Sequence, residues 1–130
     1  MVGFYDMLRF ELDPNGSFNV TEFGTVKAPA LFKAMYAYSP YHHVRAGVKY
    51  PAVLFFTGDN DHRVNPAHSR KMIAELQAAT TSGLPVMLRT NANAGHGFST
   101  DKDEFLEEQA DGLSFMFAQL GIQMEANPSK

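Results

Sequence analysis

The sequence predicts an α/β fold in which two parallel strands alternate with helices in the order β-α-β-α. Residues 52–57 (AVLFFT) form an uninterrupted apolar and β-branched run, which is typical of a central strand buried on both faces. Residues 86–90 (VMLRT) form a second strand-like run. Each run is followed by a polar loop and then by a helical pattern, so we expect a right-handed crossover between parallel strands.

The first fifty residues contain fewer regular elements. Residues 6–10 (DMLRF) are expected to form a short helix or turn, residues 13–17 (DPNGS) a loop, and residues 18–24 (FNVTEFG) an irregular segment. A stub at residues 1–4 is the only further candidate for a strand. A helix is predicted from Pro29 to Tyr38, where Ser39 and Pro40 end it. Its predicted inner face contains Leu31, Ala34, Met35 and Tyr38.

The helices that follow the strands have recognisable boundaries. Asn65 is the predicted N-cap and Pro66 the first residue of a helix that extends to about residue 80. Its predicted buried face contains Met72, Ile73, Leu76 and Ala79. The last helix is predicted for residues 101–120, with Thr100 and Asp103 as a capping box. Its apolar stripe contains Leu106, Ala110, Leu113, Phe117 and Leu120. Residues 122–130 are expected to form a loose polar tail.

Composition and charge exclude few classes of function. The chain has 130 residues, of which 45% are hydrophobic, and a formal net charge of -3, so residues 1–130 are expected to form one soluble unit. This charge favours neither nucleic acid nor an anionic membrane as a partner, and no apolar run approaches the roughly 20 residues of a spanning helix. The chain contains no cysteine, which excludes disulfides and thiolate metal sites. The start has no secretory pattern, and the compartment stays open between cytoplasm and periplasm.

Two strands are too few for a complete parallel sheet, because such sheets are covered on both faces and flanked by further strands. The chain is therefore expected to be the end of a larger domain. A missing neighbour beside residues 52–57 would leave an apolar edge and face open, which favours self-association or pairing with another chain.

Polar side chains gather in the two loops that follow the strands. Residues 59–63 (DNDHR) follow the first strand, and residues 93–97 (NAGHG) follow the second. Catalytic groups of α/β proteins gather at this edge of the sheet. An aspartate on one loop and His96 on the other match the pair that orients an imidazole toward a serine, and the flanking glycines leave room around the histidine. By spacing alone, Asp61 stabilising its own turn and His96 as a surface residue are an equally good interpretation.

Four segments resemble, in order and spacing, the C-terminal part of the catalytic domain of the prolyl oligopeptidase family of serine peptidases. They are YSPYHHV at residues 38–44, YP at 50–51, DHRVNPAHS at 61–69 and AGHG at 94–97. The resemblance implies an α/β-hydrolase fold, short peptides as substrates, and an upstream part of the catalytic domain and a β-propeller outside this chain. Pro66, His68 and Ser69 favour the prolyl branch over the oligopeptidases that cut after basic residues.

The resemblance implies roles for three polar residues. Asp61 is similar to the triad acid and His96 to the triad base, whereas Asp59 lies outside the Asp-x-Arg-Val step of the family. Arg63 matches an arginine that binds a main-chain carbonyl of the substrate, for which its fork of donors is well suited. A plain salt bridge from Arg63 to Asp59 or Glu75 is the alternative.

The resemblance also implies an apolar pocket for the substrate proline. Val64 and Phe23 match positions that line this pocket, and Phe18 lies one position away from a tryptophan on which the proline ring stacks. Plain packing is the alternative for both phenylalanines. The chain has no tryptophan, which argues against a strict preference for proline. It also departs from the family where His62 replaces an acid and residues 98–100 (FST) replace a glycine-rich stretch.

The family's nucleophile is absent from the matching region, because the serine and its oxyanion donors belong upstream of it. None of the candidate serines has a Gly-x-Ser-x-Gly setting on a strand-to-helix turn. These candidates are Ser17, Ser39, Ser69, Ser82, Ser99 and Ser114. The isolated chain is therefore expected to be inactive.

Three other functions fit parts of the sequence. Ligand types that zinc or manganese accepts occur at His42, His43, Asp59, Asp61 and His62, but neighbouring histidines cannot easily face one ion. A non-catalytic, receiver-like binding module would use the two aspartates as an acidic pocket, yet it needs five strands. An esterase with the same fold would share both loops, but Arg63 and the Tyr-Ser-Pro segment argue against it. We expect no cofactor and no metal.

Overall fold

The computed structural model describes residues 2–123 and contains a two-stranded parallel sheet flanked by helices. The strands are β1 (Val53–Gly58) and β2 (Val86–Asn91), and their register pairs Val53 with Val86 and Gly58 with Asn91. The helices are α1 (Val20–Phe23), α2 (Pro29–Tyr38), α3 (Ala67–Ala79) and α4 (Lys102–Leu120). Short 3-10 turns lie at Phe10–Leu12, Gly16–Asn19 and Pro40–His43. The predicted β-α-β-α order is therefore confirmed for β1, α3, β2 and α4.

The strand β1 is an edge strand in the described part of the chain, whereas the sequence predicts a central one. Its only partner there is β2, and only Thr57 and Gly58 are fully buried. The strand's first four residues are half-buried because one side of the sheet lacks a neighbour. The apolar run of β1 is thus typical of a strand that is covered in a larger sheet.

The helix α3 provides the crossover and covers one face of the sheet. It begins at Ala67 rather than at Pro66, and the side chain of Asn65 accepts a hydrogen bond from the Ala67 amide at 2.9 Å. Ile73, Leu76 and Ala79 are buried as predicted, and Ile73 and Leu76 pack with Val86 of β2 in one core cluster. Met72 is only partly buried at the margin of this cluster.

The last helix, α4, has a different cap and a different buried face from those predicted. Asp101, not Thr100, is the N-cap, because its carboxylate accepts from the amides of Asp103 and Glu104, both at 3.0 Å. This negative charge also suits the positive end of the helix dipole. Within the described chain the helix buries only Glu108, while Leu113 and the other leucines of the predicted stripe are exposed.

The N-terminal part forms a second, smaller core around Met7, Phe10 and Met35. Residues 18–24, predicted to be irregular, instead contain the end of a 3-10 turn and the helix α1. The helix α2 turns only Met35 inward, and Leu31, Ala34 and Tyr38 of its predicted face are exposed. Residues 2–4 form no strand, and residue 1 of the predicted stub lies outside the described residues. Residues 124–130 of the predicted loose tail lie outside them as well. Among residues 2–123, no helix has both the length and the apolar character needed to cross a membrane.

Candidate active site

An aspartate and a histidine meet where the two parallel strands end. Nδ1 of His96 lies 2.9 Å from Oδ2 of Asp61. The Asp61 side chain is completely buried, whereas that of His96 is 37% exposed. The other carboxylate oxygen of Asp61 accepts hydrogen bonds from the amides of Arg63 and Val64, both at 2.8 Å. Asp61 therefore stabilises its own turn and orients the imidazole at the same time.

The two loops that carry this pair are docked against each other through their backbones. The amide of Asp59 donates to the carbonyl of Asn91 at 2.8 Å, and the amide of Asn60 donates to the carbonyl of Ala94 at 3.1 Å. A Cβ atom at Gly58 would lie only 2.3 Å from the Ala94 carbonyl oxygen and 2.4 Å from that of Gly95. Glycine at this strand end is what lets the histidine loop approach so closely.

Two carboxylates of α4 hold the histidine loop, and the sequence patterns did not reveal them. Glu108 accepts from the side-chain amide of Asn91 at 2.8 Å and from the backbone amide of Ser99 at 2.9 Å. Glu104, one helical turn earlier, accepts from Asn93 at 2.8 Å and from the Ser99 hydroxyl at 2.7 Å. Hydrogen bonds from Asn93, Ser99 and Asn91 lower the pKa of Glu104. The only sequence feature that could have indicated this role is the pair of acidic residues four positions apart on the helix that follows the loop.

Beside the pair, Arg63 borders a cavity of about 200 Å³. Its lining includes Phe4, Asn15, Asn19, Asp61, His62 and Arg63. Arg63 is exposed and makes no ion pair within residues 2–123, and Asp59 pairs with Arg70 at 2.7 Å instead. The side chain of Asn15 donates to the carbonyl of His62, which ties the loop at residues 13–17 to the site. The sequence patterns did not predict that Asn15 and Asn19 would line this cavity.

The three apolar residues expected to line a proline pocket have different environments. Val64 is buried beneath the turn of Asp61. Phe23 packs in the N-terminal core, with its ring centre 5.5 Å from that of Phe10. Phe18 is 81% exposed. None of them lines the cavity beside Arg63 in the described chain.

A second aspartate–histidine pair, of buried His68 and half-buried Asp13, adjoins the cavity. Nδ1 of His68 accepts from the amides of Tyr5 and Asp6, at 3.2 and 3.1 Å. Nε2 therefore carries the hydrogen and donates to Asp13 at 2.9 Å. This histidine attaches the N-terminal segment and the loop at residues 13–17 to α3, and it is only 4% exposed.

The residues considered for a metal site make separate contacts and do not converge on one point. Nδ1 of His42 lies 2.8 Å from the hydroxyl of Ser39, and Nε2 of His43 lies 2.7 Å from the carbonyl of Tyr36. Across residues 2–123, no three histidine or carboxylate side chains are grouped so that they could hold an ion.

Solved structures place this fold in a class. A prolyl endopeptidase, studied for the role of inter-domain dynamics in catalysis and specificity, superimposes with a TM-score of 0.87 at 42% identity over 92% of this chain and 18% of its own. Prolyl oligopeptidase B from Galerina marginata, bound to a 35mer hydrolysis and macrocyclization substrate, superimposes with a TM-score of 0.85 at 30% identity, over 95% of this chain and 18% of its own. The fold is accordingly the C-terminal portion of an α/β-hydrolase catalytic domain.

Sequence relatives identify the family. The model of the prolyl oligopeptidase family matches residues 1–123. The chain is 41% identical to the prolyl endopeptidase of Elizabethkingia miricola over 94% of its length, and 37% identical to prolyl oligopeptidase ophP of Omphalotus olearius over 98%. It spans 17% of the length of each of these relatives. The chain belongs to the prolyl oligopeptidase family.

Proposed function

We propose that this chain supplies the acid and the base of a serine peptidase that hydrolyses short peptides. The hydrogen bond between Asp61 and His96, at the ends of two adjacent parallel strands, is the observation that carries the proposal. His96 accepts the proton of a serine supplied by the upstream part of the domain, and Asp61 stabilises the imidazolium that forms. Water then resolves the acyl-enzyme.

The geometry suits this division of roles. Because Asp61 occupies Nδ1, the hydrogen stays on that nitrogen and Nε2 is the atom that accepts the serine proton. The carboxylate is buried and held by the amides of Arg63 and Val64, so it cannot swing away from the ring. The imidazole is partly exposed and can be reached by a nucleophile from another segment.

Arg63 is the proposed ligand of a main-chain carbonyl of the substrate. Its exposed side chain, without an ion pair in the described chain, borders the cavity next to Asp61. The roles of Val64, Phe23 and Phe18 in a proline pocket rest on the sequence resemblance alone. A β-propeller and the rest of the catalytic domain are the proposed partners that complete the enzyme.

The isolated chain is proposed to be inactive because its serines are unsuited to be nucleophiles. Ser39 and Ser69 are buried, and the hydroxyl of Ser99 donates to Glu104. No serine in residues 2–123 is hydrogen-bonded to His96.

The proposal is tested in a chimaera, in which residues 2–123 replace the matching segment of the Elizabethkingia miricola prolyl endopeptidase. Hydrolysis of a short proline-containing peptide with a chromogenic leaving group is measured for the unaltered chimaera, Asp61→Asn and His96→Ala. We expect an active chimaera and a loss of about a thousandfold or more in kcat for each variant, because either change disables the proton transfer.

An active chimaera in which either substitution is harmless would show that the residue is structural. Ester hydrolysis is measured in parallel with peptide hydrolysis. Loss of the peptidase reaction with full retention of esterase activity in the unaltered chimaera would favour an esterase instead. The 130-residue chain alone is the control and is expected to show no turnover.

A further inference from the structure

We propose that Glu108 is a positioning residue that sets the location of His96 through both ends of its loop; this proposal rests on the proposed function. The carboxylate of Glu108 accepts hydrogen bonds from the side-chain amide of Asn91, where β2 ends, and from the backbone amide of Ser99, just before α4 begins. These two contacts enclose the segment that carries the histidine. Glu108 does not touch His96 and acts only through the loop.

The contact with Asn91 reaches further into the loop. While Nδ2 of Asn91 donates to Glu108, its Oδ1 accepts from the amide of Asn93 at 2.9 Å and from that of Ala94 at 3.2 Å. The carbonyl of Ala94 in turn receives the amide of Asn60, next to Asp61. A short chain of hydrogen bonds thus connects Glu108 to both halves of the pair.

The middle of the loop has little support of its own. Residues 95–97 are exposed, and Gly97 has a φ of 99°, a conformation that glycine adopts without strain. His96 therefore keeps its hydrogen bond to Asp61 only if the ends of the loop are fixed. Misplacing a catalytic group by about 1 Å is enough to cost on the order of a hundredfold in rate.

The environment of Glu108 is unusual for a residue with a purely structural role. Glu108 is 4% exposed, the lowest exposure in a helix whose leucines face solvent. No lysine or arginine of the described chain forms an ion pair with it, and its bonds come from neutral donors. Burial of a carboxylate is unfavourable unless hydrogen bonds offset it, and here those bonds all go to the histidine loop.

The first test follows His96 by NMR in the 130-residue chain, where the readout does not depend on catalysis. The Nδ1–H proton of His96, hydrogen-bonded to Asp61, should give a downfield signal in the unaltered chain. In Glu108→Gln, the amide nitrogen of the new side chain would face one of the two donors, so we expect this signal to broaden or disappear. Glu107→Gln is the matched control, because Glu107 is the neighbouring residue, is 74% exposed and lies 3.8 Å from Arg89.

A swapped pair separates positioning from a general loss of stability. Asn91→Asp removes the donor to Glu108 but keeps the oxygen that binds the amides of Asn93 and Ala94. In Asn91→Asp/Glu108→Gln, the introduced glutamine amide can donate to the introduced aspartate, which restores the bond in the opposite sense. The rescue should be partial, because the introduced carboxylate also faces Glu104, which lies 3.2 Å from the present amide nitrogen. We expect the His96 signal to be sharper in the double variant than in either single variant.

The second test measures kinetics in the chimaera. Glu108→Gln should lower kcat about tenfold with KM within about twofold, and Glu107→Gln should leave both constants unchanged. A His96 signal in Glu108→Gln identical to that in Glu107→Gln would overturn the positioning role. A lost signal with unaltered peptidase kinetics would leave positioning intact and instead contradict His96 as the base.

Discussion

Asp6 is the most heavily paired carboxylate outside the candidate site. It contacts Lys71 and, at 3.1 Å, Arg9, and the imidazole of His42 lies 3.8 Å away. Burial raises the pKa of Asp6, but the hydrogen bonds from Lys71 and Arg9 and the charges of Lys71 and His42 outweigh it, so this pKa lies below its ordinary value. The pair with Lys71 fixes the N-terminal segment to α3, beside the contact that His68 makes with the same segment.

His42 should make the stability of the chain dependent on pH. Burial lowers its pKa below the ordinary value of 6.5, and the attraction of Asp6 opposes this only in part, while Arg9, Lys71 and His43 add to the lowering. The unfolded chain therefore binds the proton more readily than the folded chain. We expect the free energy of unfolding to decrease as the pH falls through 6.5, and to level off below the pKa of folded His42.

Urea unfolding at a series of pH values between about 7.5 and 5 measures this effect. His42→Gln should flatten the pH dependence, and His43→Gln, the neighbouring exposed histidine, should retain it. An equal pH dependence in the unaltered chain and in His42→Gln would contradict the assignment to His42.

The junction between the two loops of the candidate site depends on the absence of a side chain at Gly58. We expect Gly58→Ala to destabilise the chain by about 1–3 kcal/mol, because its Cβ would overlap backbone oxygens that cannot move aside easily. The His96 signal of the NMR experiment should be lost as well. Chemical denaturation gives the change in stability.

Gly112→Ala is the matched comparison within α4. A Cβ there would lie 3.4 Å from the ring of Phe56, which is ordinary contact, and alanine is the better helix former. This variant should be neutral or stabilise the chain by up to about 1 kcal/mol. If both variants cost the same free energy, the close approach of the loops at Gly58 is not the cause.

The helix α4 exposes several large apolar side chains in the described chain. Leu106, Leu113, Met116 and Leu120 are exposed on this helix, and Met87 is exposed on β2. In the described residues, β1 also has a neighbouring strand on one side only. In relatives roughly six times longer, further parts of the protein are available to cover such a surface, as the coverage of 17% implies.

We therefore expect the 130-residue chain to self-associate at micromolar concentrations, because contact between copies would remove apolar surface from water. Leu113→Lys should shift the equilibrium toward monomer, and Leu12→Lys, which alters a leucine that is exposed elsewhere, should not. Sedimentation velocity over a range of concentrations at neutral pH measures the distribution. A dilute and stable monomer of the unaltered chain would contradict the prediction.

Sequence patterns alone determined the order of the main elements and the proximity of the two loops that follow the strands. The β-branched run of β1, the Asn65 turn and the periodicity of α3 are local signals, since each depends on residues within one or two turns of chain. The proximity of the loops followed from a general property of parallel sheets, that adjacent strands end at the same edge. The choice of Asp61 and His96 within these loops came from the family resemblance.

Burial and the contacts of polar groups were decided only by the tertiary structure. Glu108 is buried although its helix looks apolar on another face, and His68 binds the amide of Tyr5 across 63 residues. The leucines of the predicted stripe of α4 are exposed because an apolar pattern shows what a face can bury, not whether a covering segment is present. These features depend on which distant segments meet, and periodicity within a single element does not contain that information.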